Sequence, residues 1–146
     1  MRKHAARHSN VHELHHGVDD SFFLAAGPAP KGYRRFCYFG SMWSALDYRY
    51  VAALARAGFE VTLLGPQREP LPALPPGVTH QPALPTERLA AALAPFDGLL
   101  LPYADTPYNQ GVVPAKTYEC LATGKPVLAT PLPGLARFQQ YFYLEK

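Results

Sequence analysis

Only two cysteines occur in the 146 residues, Cys37 and Cys120, and their spacing suggests neither a disulfide framework nor a metal-binding set. A reducing cytosol is the expected setting for such a chain. No apolar run approaches the roughly 18 residues that a membrane-spanning helix needs. The basic start, MRKHAARHS, has no apolar segment behind it, so neither a transmembrane segment nor an export signal is expected. Charge is sparse as well: 17% of residues are charged, the net charge is +3, and the basic residues are scattered except near the N-terminus. That pattern gives no reason to expect a nucleic-acid partner. Two phosphate-binding fingerprints are missing too. The turn at Gly40 reads GSMWS rather than G-x-G-x-x-G, and Gly124-Lys125 has no P-loop around it.

What remains is an ordinary globular composition, 48% hydrophobic, with proline enriched to 16 residues. One domain of this length buries about two-thirds of the surface of its unfolded chain. Residues 1–20 are polar, histidine-rich and without periodicity, which reads as a tail or linker ahead of a domain spanning 21–146. Within that tail His12-Glu13-Leu14-His15-His16 satisfies the H-E-x-x-H pattern, in which two histidines one turn apart hold zinc and the glutamate acts as base. Gly17 follows at once and no apolar helix precedes it, so zinc hydrolase chemistry is a minor alternative, and no metal site is expected.

After the breaker-rich stretch 27–32, β-prone and helical patterns alternate. Arg35–Phe39 predicts a strand that stops at Gly40-Ser41. A helix beginning at Ser44–Asp47 carries Val51, Leu54 and Ala55 on one stripe and ends at Gly58, and Phe59–Leu64 predicts the next strand. Strand, glycine turn, helix, glycine and strand form a βαβ unit, hence parallel strands with a right-handed crossover. Val78–Gln81 reads as no more than a short strand. Thr86 is the expected cap of a helix with Leu89, Leu93 and Phe96 on its apolar face, and Gly98–Pro102 predicts a buried strand. Tyr103–Gly111 reads as a long polar loop. A helix opened by Pro114 and closed by Gly124 leads to a strand at Val127–Thr130; Leu135–Tyr141 is a candidate helix and Tyr143-Leu144 a candidate edge strand. The fold class is therefore α/β, a doubly wound parallel sheet in a single Rossmann-like domain.

Ligands of such sheets bind beyond the carboxyl ends of the strands. Three connections carry suitable groups there: Gly40-Ser41-Met42, Tyr103–Gly111 and Pro131–Gly134. Lys116 and Glu119 stand three apart near a helix start, where a phosphate is favoured and a carboxylate can accept bonds from ribose hydroxyls. Backbone N–H groups at Val112 and Val113 could add to the phosphate site, and Lys116 would contribute about 1.5–3 kcal/mol through a charge-assisted bond. The bland alternative is a surface helix with an i,i+3 ion pair.

Three segments, FDGLLLPY (96–103), PAKTYE (114–119) and LATGKPVLAT (121–130), together resemble the donor-binding half of bacterial GT-B glycosyltransferases of group 1, the family 4-like enzymes that build cell-surface polysaccharides. The YFGSM turn (38–42) with Asp47, and HGVD (16–19), look like that family's first strand and inter-domain linker. The resemblance covers about residues 16–138. It implies the C-terminal domain of a GT-B fold, binding a nucleoside-diphosphate sugar, with a UDP sugar expected, for transfer to a polysaccharide or glycolipid acceptor. It implies Gly40, Ser41 and Met42 along the diphosphate and sugar, Lys116 on the phosphates, Glu119 on the ribose and Tyr103 beside the nucleotide. No cofactor beyond the donor substrate is expected. The position eight before Glu119, a second glutamate in many retaining relatives, is Gly111, so sugar contacts of that motif do not transfer, and no catalytic residue is assigned. Expected partners are an acceptor-binding domain or chain, or a second copy meeting an exposed half-interface; the expected location is the cytoplasm, with peripheral contact to the inner membrane face as a variant. The alternative from another class is a catalytically inactive binding or scaffold module that kept the fold.

Overall fold

The computed structural model describes residues 10, 12, 14, 16–24 and 32–144. Six parallel strands make one sheet: β1 (Arg35–Phe39), β2 (Glu60–Leu64), β3 (Val78–Gln81), β4 (Gly98–Leu101), β5 (Val127–Ala129) and β6 (Phe142–Leu144). Their spatial order is β3-β2-β1-β4-β5-β6. The chain therefore works outward from β1 in one direction, then returns to its other side with β4. The crevice between the carboxyl ends of β1 and β4 is the switch point at which open α/β sheets bind ligands.

Alternation along the strands sends successive side chains to opposite faces, and both faces are covered. Phe36, Tyr38, Val61, Leu63 and Leu100 pack with Val51 of α2 (Tyr48–Arg56). Cys37, Phe39, Leu99, Leu101 and Val127 pack on the opposite face against Phe22, Leu93, Cys120 and Leu135. These last four come from α1 (Ser21–Leu24), α3 (Thr86–Leu93), α5 (Lys116–Ala122) and the 3-10 segment Pro133–Tyr141. The doubly wound α/β reading is what the structure shows.

Several boundaries differ from the sequence expectation for local reasons. Helix α2 starts at Tyr48 and not near Ser44, because the Asp47 carboxylate caps the N–H groups of Arg49 and Tyr50 (3.0 and 3.4 Å) while Ser44 N–H donates to Glu69 (2.8 Å). Thr86 is the first residue of α3 and not its cap; Pro85 holds the cap position, and Phe96 lies beyond the helix end yet still packs on the core. The expected polar loop contains a short helix, α4 (Pro107–Gln110), started by Thr106 Oγ1 accepting from Asn109 N–H (3.2 Å). Val78–Gln81 is a fully paired strand despite its polar character, since it forms the sheet edge. Gly124 closes α5 in the left-handed region (φ +64°), as its position suggested.

In the tail, Glu13 and His15 lie outside the described residues, so the H-E-x-x-H pattern is not described as a unit. Among the described residues no three His, Cys, Asp or Glu side chains cluster as metal ligands, and no helix is long and apolar enough to cross a membrane.

Candidate functional site

The crevice floor is made by two glycines at strand ends. Gly40 follows β1 at φ +136°, a region essentially reserved for glycine, and its N–H donates to Leu64 O (2.8 Å). Gly65 follows β2; a Cβ there would lie 2.2 Å from Gly40 O. The two turns nest backbone to backbone, which only residues without side chains permit.

Across this floor runs Lys116. A Cβ on Gly40 would lie 2.0 Å from Lys116 Cε and 2.7 Å from its Nζ, so the missing side chain of Gly40 is the space that the lysine fills. The ammonium sits 6.0 Å from the centroid of the Phe39 ring, at the outer limit of a cation–π contact. No ion pair joins Lys116 to Glu119, so the surface-pair alternative is not what the helix forms. Among the described residues, no carboxylate pairs with this cation at the carboxyl ends of the central strands.

Two cavities meet at this lysine. One, of about 150 Å³, is bounded by Gly40, Gly65, Pro66, Leu84, Leu89 and Glu119. The other, of about 180 Å³, is bounded by Tyr38, Ser41, Trp43, Tyr103, Tyr108 and Asn109. Lys116 lines both. Neither alone reaches the roughly 300 Å³ at which small-molecule sites begin, and Lys116 is the described lining residue that the two share. Besides the tyrosines, Lys116 and Glu119 are the ionisable side chains among their described lining residues.

Of the residues singled out in the sequence, Gly40, Ser41, Tyr103, Lys116 and Glu119 reach this double chamber. Met42 does not. It is fully buried against Val51 and Leu63, its N–H donates to Pro66 O (2.9 Å) and its carbonyl accepts from Arg68 (2.8 Å). The turn points this side chain into the core, where an unbranched apolar residue fills space. Val112 lines the aromatic chamber, and its N–H makes a long bond to Asn109 O (3.4 Å).

Residues that were not singled out hold the walls. Asn109 is 1% exposed, and its amide nitrogen donates both to Ala45 O (2.9 Å) and to Ala104 O (2.7 Å), joining the loop after β1 to the loop after β4. The same loops share Asp47 N–H to Pro102 O (2.7 Å) and Ala104 N–H to Ala45 O (2.9 Å). From the other side Thr130 Oγ1, just past β5, donates to Tyr103 O (2.6 Å). The Thr106-Pro107 pair, a helix-start signature, was the available signal for the first of these; nothing local marks Thr130.

Tyr38 donates to Ser41 O (3.0 Å) and stands edge-on to Tyr103, with ring centroids 6.4 Å apart. Burial pushes both phenols above their usual range, so they remain protonated at neutral pH. Burial likewise raises the Cys120 thiol under α5 and pushes the Cys37 thiol up to about 12, which leaves neither available as a nucleophile.

Among the described residues, the switch-point crevice of this Rossmann-like parallel sheet thus brings together one lysine, one carboxylate and several hydroxyl and aromatic groups. No protein-family model matches the chain. Over 160 aligned positions covering 99% of the chain, it is 30% identical to the teichuronic acid biosynthesis glycosyltransferase TuaH of Bacillus subtilis (strain 168), a name that is itself provisional. The chain spans 40% of the length of that relative. The similarity is thus to part of a glycosyltransferase, and it extends over nearly the whole of this chain.

Proposed function

We propose that this chain is the donor-binding, C-terminal domain of a GT-B glycosyltransferase, that it binds a nucleoside-diphosphate sugar, with a UDP sugar the expected donor, and that the sugar passes to a polysaccharide or glycolipid acceptor. The observation that carries this reading is Lys116 lying over Gly40 at the β1 end with no carboxylate partner among the described residues. A diphosphate at that position accepts charge-assisted bonds from the lysine, and Glu119, in the same cavity, accepts from ribose hydroxyls.

In the transfer the bond from the anomeric carbon to the terminal phosphate oxygen breaks and the acceptor oxygen bonds to that carbon. The acceptor hydroxyl loses its proton to a base that belongs to the acceptor side of the reaction. Negative charge grows on the leaving diphosphate, and Lys116 stabilises it where it forms, an electrostatic contribution of about 1.5–3 kcal/mol. This reading calls for no cofactor besides the donor substrate, and for an acceptor-binding domain or chain as partner. The TuaH relative, named for teichuronic acid biosynthesis, supports an acceptor of the cell-surface polymer class.

Calorimetric titration of the purified chain with UDP, GDP and ADP tests the reading. Saturable binding of one nucleotide, weakened about tenfold or more by Lys116→Ala and by Glu119→Ala, is expected. A folded chain that binds none of the three would leave the scaffold function in its place.

A further inference from the structure

Two aromatic side chains meet at the wall of the aromatic chamber. Trp43, from the loop after β1, and Tyr108, from the loop after β4, meet edge to face with ring centroids 5.6 Å apart and planes at 73°. Trp43 is the chain's single tryptophan and is half-buried, while Tyr108 is 62% exposed, so the pair presents aromatic surface at the cavity mouth. Both line the cavity on the far side of Lys116 from Glu119.

Resting on the donor reading above, we infer that Trp43 and Tyr108 form the platform for the sugar ring of the donor, and that this ring is an uncharged pyranose rather than a uronate. With the diphosphate on Lys116 and the ribose on Glu119, the sugar extends into the aromatic chamber. A pyranose has one face of C–H groups, which an aromatic ring covers, and a rim of hydroxyls that need polar partners.

The polar partners select against charge. Lys116 is the one cation among the described residues lining either cavity, and the phosphates take it. Both amide hydrogens of Asn109 are committed to Ala45 O and Ala104 O, and the two carbonyl partners fix which end of the amide is nitrogen. What Asn109 has left is its carbonyl oxygen, an acceptor. The Tyr38 hydroxyl hydrogen is likewise committed, to Ser41 O. A sugar hydroxyl can donate to such acceptors. A uronate carboxylate cannot; the donors left to it among the described lining residues, such as the Ser41 and Tyr108 hydroxyls and the Trp43 indole N–H, are neutral, so it would lose hydration without gaining a counter-ion.

The test is titration of the purified chain with UDP, UDP-glucose, UDP-N-acetylglucosamine and UDP-glucuronate, with GDP, GDP-mannose and GDP-mannuronate used if guanine proves the base. Trp43→Ala and Tyr108→Ala should each weaken the neutral nucleotide sugar about three- to tenfold while leaving the bare nucleotide within about twofold. Trp43→Phe should retain most of the affinity, and the uronate should bind more weakly than the neutral sugars. Tyr108→Ala, at an exposed position, keeps the test open if Trp43→Ala does not fold. Equal weakening of nucleotide and nucleotide sugar would mean that the base occupies the aromatic chamber and would overturn the inference. So would uronate binding tighter than the neutral sugars, or affinity indifferent to both substitutions. If no nucleotide binds, the donor reading fails first and the inference with it; if nucleotides bind and only the sugar dependence is missing, the inference alone fails.

Discussion

Gly40→Ala probes the relation between the glycine floor and the lysine above it. Two costs follow from the geometry. The backbone at φ +136° is a conformation that alanine adopts only under strain, worth about 1–3 kcal/mol. The new methyl would also lie 2.0 Å from Lys116 Cε, too close to be tolerated, so the flexible lysine must leave its position. The first cost appears in chemical denaturation as a lowered midpoint with unchanged slope. The second appears in nucleotide binding as loss of the lysine's charge-assisted bond, about 1.5–3 kcal/mol or roughly 10- to 150-fold in Kd. A double-mutant cycle separates them. In a Lys116→Ala background, Gly40→Ala should still lower stability but should cost no further nucleotide affinity, because the group it displaces is already gone. Strictly additive losses of affinity, or a Gly40→Ala chain that binds as tightly as the parent, would refute the claim that Gly40 exists to make room for Lys116.

Three further outcomes are expected. Asn109→Ala should destabilise the fold by about 1–3 kcal/mol, since it strips the amide donor from two loop carbonyls at a buried position, and hydrogen exchange should quicken in both loops; an unchanged denaturation midpoint would count against the clamp. Cys37 and Cys120 should resist a thiol-specific disulfide reagent at pH 8 in the native chain and react once it is unfolded, as their buried, raised thiols require. At Asp97 burial acts to raise the carboxyl, but the N–H groups of Arg35 and Arg34 and the Arg35 guanidinium outweigh it and hold the group below its ordinary value. Its stabilisation is therefore complete above about pH 4 and is lost as pH falls through the folded value; Asp97→Asn should flatten that part of an acid-denaturation curve.

How far the sequence disclosed this arrangement depends on what kind of interaction sets each part. Strands β1, β2, β4 and β5 are short apolar runs bounded by glycine or proline, a local signal that survives in any context. β3 is nearly invisible by that criterion, because an edge strand with exposed residues needs no apolar run and is held by its pairing to β2. Lys116 and Glu119 were legible from helical spacing, but the position of Lys116 on both cavities, with Glu119 on one of them, was not. That depends on where Gly40 sits beneath the lysine, a contact between residues 76 positions apart. Met42 was read as part of the crevice because it follows Gly40-Ser41; chain adjacency does not tell which side of a turn faces inward. Asn109 and Thr130 were missed because what they bind is backbone from distant loops, and a side chain that caps a remote carbonyl leaves no periodic trace.

The most direct test of the central claim is to follow backbone amide resonances while the nucleotide is added. The account predicts that Gly40, Ser41, Gly65, Lys116 and Glu119 shift together and saturably, while amides at the opposite ends of the strands, such as Arg35 and Gly98, stay in place. Shifts confined to that opposite end, or none at the two glycines while binding is measurable elsewhere, would contradict it.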